Sequence, residues 1–295
     1  RASGDNNSIF DSSRGATKEK ISNGTNAEST DAQLLTQFDT DGFTVGTNGG
    51  VNGSGDGYIA WQWKANGGTT SSNTDGYLTS TVQANTTAGF SIVLFTADGN
   101  TRTVGHGLGV KPDVVLISSR NAAGGWLLIS DVWDGSLDYI RLDQEGYKSN
   151  ISYDAPTSSV FQYNDNNGNT QVAYCFAEKQ GYSKIGTYYG NQDADGPFVY
   201  TGFKPAFILV KSNSNYKYWY AYSNNRPGFN VTNLGMPVST DEAESSSGID
   251  IDILSNGFKL RAASTTVNTS GTIHFYMAFA ENPFVTSTGI PTTAR

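Results

Sequence analysis

Short runs of β-branched and aromatic residues recur along the chain, and Gly, Asn, Asp or Pro bounds most of them. Runs of this composition and length are typical of β-strands that end in tight turns. In "IDIDIL" (249–254) apolar and polar residues alternate, as they do in a half-buried strand. The clearest other runs are "SIVLF" (91–95), "DVVLI" (113–117), "WLLI" (126–129), "AFILV" (206–210) and "IHFYMAF" (273–279). The pattern predicts an all-β fold, with a short helix or structured loop at residues 26–38.

The strand pattern is repeated. "YTGFKPAFILVKSN" (200–213) matches "GHGLGVKPDVVLISSR" (105–120), and Pro112 and Pro205 are 93 positions apart. Trp126 and Trp219 have the same separation. A shorter copy comes first, because "SIFDSSRG" matches the turn after the tryptophan strand and residues 40–65 match 255–280. We therefore look for a repeated structural unit.

Six or seven strands in about 90 residues make a unit the size of a β-sandwich. We predict tandem, jelly-roll-like β-sandwich modules, the first of them truncated at its N-terminus. The predicted boundaries are 1–66 for the C-terminal part of the truncated module, 67–88 for a linker, 89–180 and 181–285 for two whole modules, and 286–295 for a tail.

The truncated module has no equivalents of the strands at 90–96 and 113–118. A sandwich without these strands has an unpaired edge, which can accept a strand from elsewhere. We expect a strand-donating segment, from upstream residues or from another subunit, to complete it.

Three long motifs carry a resemblance to a known family. They are "WQWKA" with "TSTVQANTTAGFSIV" within residues 61–93, "TVGHGLGVKP" (103–112), and "GTYYGNQDADGPFVYTGFKP" (186–205). Together they resemble a module of tailed-phage proteins, which recurs in tandem in tail-fibre-like and other virion proteins. The resemblance covers nearly the whole chain, although residues 147–165 depart from the pattern. It implies a virion structural role, with homo-oligomerisation and other virion proteins as partners.

Composition argues against several classes of partner. The net charge is −8 and only 16% of residues are charged, with no run of Lys or Arg, so we expect no nucleic acid partner. The apolar runs are too short to span a bilayer, so we expect no membrane insertion. The single cysteine, Cys175, cannot form an internal disulfide and is expected to be a buried thiol.

The residues that could carry chemistry lack the partners that chemistry needs. His106 and His274 have no ligand or catalytic pattern near them, and we expect both to be structural. Asp250 and Asp252 share a strand face, where a solvated surface is a better interpretation than the paired carboxylates of a glycosidase. The Asp-Gly stretches at 39–42 and 191–196 favour tight turns over a calcium site. We expect no catalytic residue, no metal site and no cofactor.

Aromatic residues are the strongest candidates for a contact surface. In "NYKYWYAY" (215–222), period-two geometry places Tyr216, Tyr218, Tyr220 and Tyr222 on one strand face. Buried core and a glycan or subunit contact both remain open for this face, because tyrosine suits surfaces that are partly apolar and partly wet. Trp133 is a second candidate, as an exposed aromatic anchor.

Repetition favours structure over catalysis, because a module repeated with different polar residues keeps its shape and not a reactive centre. We therefore expect a non-enzymatic phage protein on the virion surface, in a tail fibre or similar appendage, with host attachment through a surface glycan as its functional hypothesis. Two alternatives are a capsid-decorating or fibrous lattice protein without a receptor role, and a polysaccharide depolymerase acting through Asp250 or Asp252.

Overall fold

The computed structural model describes residues 4–165, 168–214, 216–226, 230–246 and 248–282. These residues form β-sheets and a single short helix, which confirms the all-β prediction. Among them, no helix is long and apolar enough to cross a membrane. Three parts of the chain are named here as the first unit (4–66), the second unit (67–180) and the third unit (181–282).

The first unit consists of a three-stranded sheet, a hairpin and one helical turn. A helix or structured loop was expected at 26–38, but this stretch carries two strands, the second of which turns back at Asp39, whose N–H donates to the Gly42 carbonyl. Residues 58–65 belong to no strand, although their side chains alternate between more and less exposed positions. The elements are β1 (Ser8–Ile9), β2 (Lys18–Ile21), β3 (Ser29–Thr30), β4 (Leu35–Phe38), β5 (Phe43–Val45) and α1 (Gly49–Asn52).

The second unit contains an eight-stranded sheet and a separate two-stranded sheet. The linker predicted at 67–88 is wrong, because two strands lie within it and extend the large sheet. The strands are β6 (Ser71–Asn73), β7 (Ser80–Asn85), β8 (Phe90–Thr96), β9 (Arg102–Gly105), β10 (Val114–Ser119), β11 (Leu127–Ser130), β12 (Asp138–Arg141), β13 (Ser149–Asn150), β14 (Val160–Tyr163) and β15 (Thr170–Phe176).

The third unit contains a five-stranded sheet and a three-stranded sheet. Its strands are β16 (Ser183–Tyr189), β17 (Phe198–Tyr200), β18 (Pro205–Ser212), β19 (Trp219–Ser223), β20 (Met236–Pro237), β21 (Ile251–Leu254), β22 (Gly257–Leu260) and β23 (Ile273–Ala280).

The second and third units have the same strand order. The large sheet runs β12-β11-β10-β15-β8 in the second unit and β20-β19-β18-β23-β16 in the third. The registers also agree: Phe176 lies opposite Phe90 and Val114, and Phe279 lies opposite Ser183 and Phe207. Each small sheet pairs equivalent strands, β9 with β14 and β17 with β22. The two Lys-Pro stretches therefore lead into the same strand of the same sheet.

The two large sheets pack against each other around a shared core. Because strand side chains alternate between faces, each large sheet has a second apolar face that packs on its own small sheet. The shared core includes Ile92, Trp126, Trp133 and Tyr174 from the second unit and Ile185, Trp219, Phe275 and Met277 from the third. Apolar layers thus alternate with sheets through the molecule.

The first unit contacts the second as the second contacts the third. The Trp126 indole N–H donates to the carbonyl of Ile21, the last residue of β2, at 2.8 Å. The Trp219 indole N–H donates to the carbonyl of Arg141, the last residue of β12, also at 2.8 Å. The turns that precede β2 and β12 match as well. Gly15 and Gly135 have φ of 108° and 90°, and the N–H of each donates to the carbonyl of an aspartate four residues earlier, Asp11 or Asp131.

Candidate functional site

Trp133 does not lie on the surface. Its side chain is 3% exposed and its ring stacks on Phe275 with the centroids 5.3 Å apart. The expectation of an exposed anchor was wrong, because the large sheet of the third unit covers this position. Sequence alone could not indicate this, since the covering residue comes from a strand more than a hundred positions away.

Tyr220 and Tyr222 belong to the core of the third unit. The Tyr222 hydroxyl donates to the Ile249 carbonyl at 2.8 Å, and burial raises the pKa of both phenols. For these two residues the core interpretation holds and a glycan contact does not.

Tyr218 and Tyr216 lie outside that core in different ways. Tyr218 is half-buried, and its hydrogen bond to the Glu145 carboxylate raises the pKa of its phenol to about 12. Tyr216 is 79% exposed, with φ of 55° in a turn before β19 begins. The four tyrosines therefore do not form one face, because the strand geometry begins only at Trp219.

The two histidines have structural partners. His106 Nδ1 accepts the N–H of Leu108, and in the third unit the Thr201 hydroxyl lies within 3.5 Å of the N–H of Phe203 at the equivalent turn. His274 Nε2 accepts the N–H of Thr269 and stacks on Tyr188. Burial lowers the pKa of both, that of His274 to about 4. Both imidazoles hold turns, as expected.

Of the acidic candidates, Asp252 and the stretch 191–196 have structural contacts, whereas Asp250 Oδ1 is buried without a hydrogen-bond partner among the described residues. Asp252 Oδ2 lies 3.3 Å from Arg261 Nε, while Ile251 and Ile253 on either side are buried. In the stretch 191–196, the side chain of Asp193 accepts the N–H of Asp195, as in a tight turn. The described residues contain no group of three potential metal ligands.

A cleft lined mainly by polar residues lies in the second unit where it adjoins the first, and has a volume of about 530 Å³. Its floor is Val82 and Ala84 of β7. Its walls are made of amides, hydroxyls and one carboxylate, including Asn66, Thr70, Asn73, Asp75, Ser158 and Ser159. A second hollow of about 440 Å³ shares Asn66 and Ala84 with it, so the two are adjacent.

Asn73 and Asp75 are held in a fixed arrangement within the cleft. Asn73 Nδ2 donates to Asp75 Oδ2 at 2.9 Å, and the Asp75 N–H donates to Asn73 Oδ1 at 3.0 Å. A Cβ at position 105 would overlap the Asn73 carboxamide, so Gly105 leaves room for it. Such mutual hydrogen bonds orient polar groups before a ligand arrives.

An exposed aromatic lies two residues beyond Asp75. Tyr77 is 67% exposed, and the Arg102 guanidinium lies 3.9 Å from its ring centroid, in the range of a cation–π contact. Arg102 is held in turn by Asp98, with Nε 2.8 Å from Oδ2. This site was not predicted from the sequence, because residues 67–88 were expected to form a linker. The alternation in "YLTSTV" was the signal available.

Comparison with protein families gives one match. A family described as a domain of unknown function (DUF7483) matches residues 1–283. The chain belongs to this family. The match covers the first unit and both large sheets. No curated protein matches the chain, and no solved structure does.

Proposed function

We propose that the protein is a non-enzymatic structural component of a phage particle, part of a tail fibre or similar appendage, and that its polar cleft contacts a glycan on the host surface. The main support is that one strand order occurs twice with different side chains at equivalent places. Thr103 and Gly105 of β9 correspond to Phe198 and Tyr200 of β17, for example. A scaffold that keeps its shape while its polar groups change suits assembly.

We further propose that the second and third units are tandem, jelly-roll-like sandwich modules and that the first is a truncated copy. Each of the two pairs a large sheet with a small one around a separate core. In the first unit, β1, β2 and β3 take the places of β11, β12 and β13, and β4 and β5 those of β21 and β22. Strands equivalent to β8 and β10 are not present among its described residues.

The chemistry of the cleft favours a glycan. Side-chain amides and hydroxyls over a small apolar floor can exchange hydrogen bonds with sugar hydroxyls. The common hydrolytic mechanisms require two carboxyl groups flanking the bond. Among the described lining residues of the main cleft only Asp75 is a carboxylate, which favours binding over cleavage.

The proposal is tested with the purified chain and surface polysaccharide extracted from host cells. We expect binding, competition with phage adsorption, and no release of reducing ends. Asp75→Ala should weaken binding at least about tenfold, because it removes a charged acceptor. Asp241→Ala, at an exposed position of the third unit outside the cleft, is the matched control.

Each alternative outcome has a clear meaning. Release of reducing ends would establish the depolymerase. Absence of binding together with loss of particle integrity in a mutant lacking the protein would establish the lattice protein. Equal binding by the Asp75 and Asp241 variants would remove the cleft from the proposal.

A further inference from the structure

The large sheets of the second and third units differ at one edge. In the second unit a further strand covers this edge, whereas in the third unit the equivalent edge strand is open among the described residues. In the second unit β7 pairs along β8, with Thr81 opposite Leu94 and Asn85 opposite Phe90. The equivalent strand, β16, pairs with β23 and, among the described residues, with no other strand. Unpaired strand edges are sites at which another chain can add a strand.

The small sheet of the third unit has a matching open edge. In the second unit Leu78 forms a parallel bridge with Val104 of β9, and its N–H donates to the Thr103 carbonyl at 3.1 Å. The equivalent strand, β17, pairs with β22 alone within the described part of the chain. One continuous stretch, residues 77–85, thus covers both edges of the second unit, and no stretch among the described residues of the third unit does the same.

The edge of β16 points hydrogen-bond donors outward. The N–H of Ile185 donates to the Glu178 carboxylate, which lies on the side away from β23. Because N–H groups along an antiparallel strand alternate in direction, those of Thr187 and Tyr189 point the same way. An added strand would find its partners in the second half of β16.

The sequence contains a second copy of the covering stretch. Residues 77–81 read "YLTST" and residues 284–288 read "FVTST", and "TTA" follows at 86–88 and at 292–294. Residues 283–295 lie outside the described residues. In the second unit the Ser80 hydroxyl donates to the Gly105 carbonyl at 2.7 Å. The equivalent of Ser80 is Ser287, and the equivalent carbonyl is that of Tyr200.

The match has three departures. The first is its spacing, because four residues separate "TST" from "TTA" in the second unit and three separate them near the C-terminus. Pro283 stands at the place of Gly76, where a Cβ would lie 2.6 Å from the Thr103 carbonyl oxygen, so the matching contact begins at Phe284. Gly289 stands at the place of Val82, a core residue of the second unit. The strand would thus be held mainly by its backbone hydrogen bonds and by the side chains of Phe284, Val285 and Ser287.

A chain cannot place its residues 284–288 on its own β16 in the register that β7 has on β8, because the connecting residues are too few. Thr288 would lie opposite Thr187, and Val285 would lie beyond Tyr189. β23 ends at the other end of β16, where the Ala280 N–H donates to the Tyr182 carbonyl. From Tyr182 to Tyr189 a strand advances about 23 Å. The five residues from Ala280 to Val285 reach at most about 18 Å.

We propose that residues 284–288 of one copy add as an antiparallel strand to β16 of a second copy of this chain and reach β17 beside it. Each copy then gives one strand and receives one. The partner is a second copy of this chain, because residues 284–288 match the sequence of residues 77–81, which together with β7 cover the equivalent edges of the second unit in a known register.

Disulfide trapping tests the register. A chain with Thr187→Cys is mixed with a chain with Thr288→Cys and mildly oxidised. A covalent dimer should form, because the Cα atoms of residues directly opposite each other in paired strands lie close enough for a disulfide. Thr187→Cys mixed with Thr286→Cys is the control, two residues out of register, and should give several-fold less dimer. The native Cys175 is fully buried and does not compete.

Three results would overturn the proposal: no dimer, equal dimer in the control, or a disulfide within a single chain when Thr187→Cys and Thr288→Cys are combined in the same chain. A second measurement does not depend on the cysteine variants. Deleting residues 283–295 leaves all described residues in place and should lower the mass measured by light scattering relative to the full chain. Equal masses at concentrations where the full chain is assembled would also contradict strand exchange.

Discussion

At the scale of the residue, equivalent positions of the second and third units can be compared to see which side chains have a structural role. His274 of β23 occupies the position of Gln171 in β15. Both are fully buried, and both bind the loop that precedes their strand, Gln171 through Asp165 and His274 through Thr269. The same position thus holds an amide in one unit and an imidazole in the other, each bound to the preceding loop, which argues for a structural role.

His274→Gln should reduce the dependence of stability on pH. The pKa of His274 is lowered to about 4, mainly by burial, whereas an unfolded histidine titrates near 6.5. The unfolded state therefore binds the extra proton first, and His274 costs stability as pH falls from about 6.5 to 4, up to about 3 kcal/mol. Unfolding free energies measured across this range should slope less in the variant. Identical slopes would show that His274 does not titrate as described.

Trp133→Ala should destabilise the protein by about 3–5 kcal/mol, because the ring is buried against Phe275 in the core between the large sheets. Tyr216→Ala, at a position that is 79% exposed, should change stability by less than about 0.5 kcal/mol. Chemical denaturation of the two variants checks the pair. A small effect at Trp133 would restore it as a surface residue.

At the scale of the element, much of the fold could be predicted from local pattern. The Lys-Pro strands, the tryptophan strands and the closing strand at 273–280 follow from β-branched and aromatic runs bounded by turn residues. The pairing of β7 with β8 did not follow, because "STVQAN" has little apolar content and its partner lies across a turn in the presumed next module. The cleft was missed for the same reason, since its floor is β7.

The contacts between units could not be predicted either, because they join residues far apart in sequence. Trp126 binds the carbonyl of Ile21 and Trp219 that of Arg141. Only the recurrence of tryptophan at the same position of the repeat was visible in the sequence. What each indole donates to depends on how neighbouring sheets pack.

A matched pair of substitutions measures one of these contacts. Trp126 and Trp133 are both buried, but the indole N–H of Trp133 has no hydrogen-bond partner among the described residues. Trp126→Phe and Trp133→Phe remove the same atoms, so Trp126→Phe should cost about 1–2 kcal/mol more through its lost bond to Ile21. Equal losses in denaturation experiments would mean that this bond adds nothing to the joining of the units.

At the scale of the whole molecule, the shared core makes the second and third units depend on each other. Each large sheet buries one face against its own small sheet and the other against the neighbouring unit. A single unit in isolation would expose an apolar sheet face, and contiguous exposed patches of that kind promote association.

The full chain should therefore unfold in a single transition. Far-UV circular dichroism and tryptophan fluorescence should report the same midpoint, because loss of either large sheet opens the common core. Residues 67–180 expressed alone should lack the cooperative transition or associate. Two separate transitions in the full chain would show that the units are independent domains.

We propose above that this scaffold is a component of a phage particle and that its surface meets the host. Immunogold electron microscopy of purified phage particles, with antibody raised against the chain, tests it most directly. The account predicts gold on the tail appendages, and labelling of the capsid would instead favour the lattice protein. Particles that carry no label, with the protein found only in infected cells, would contradict the account.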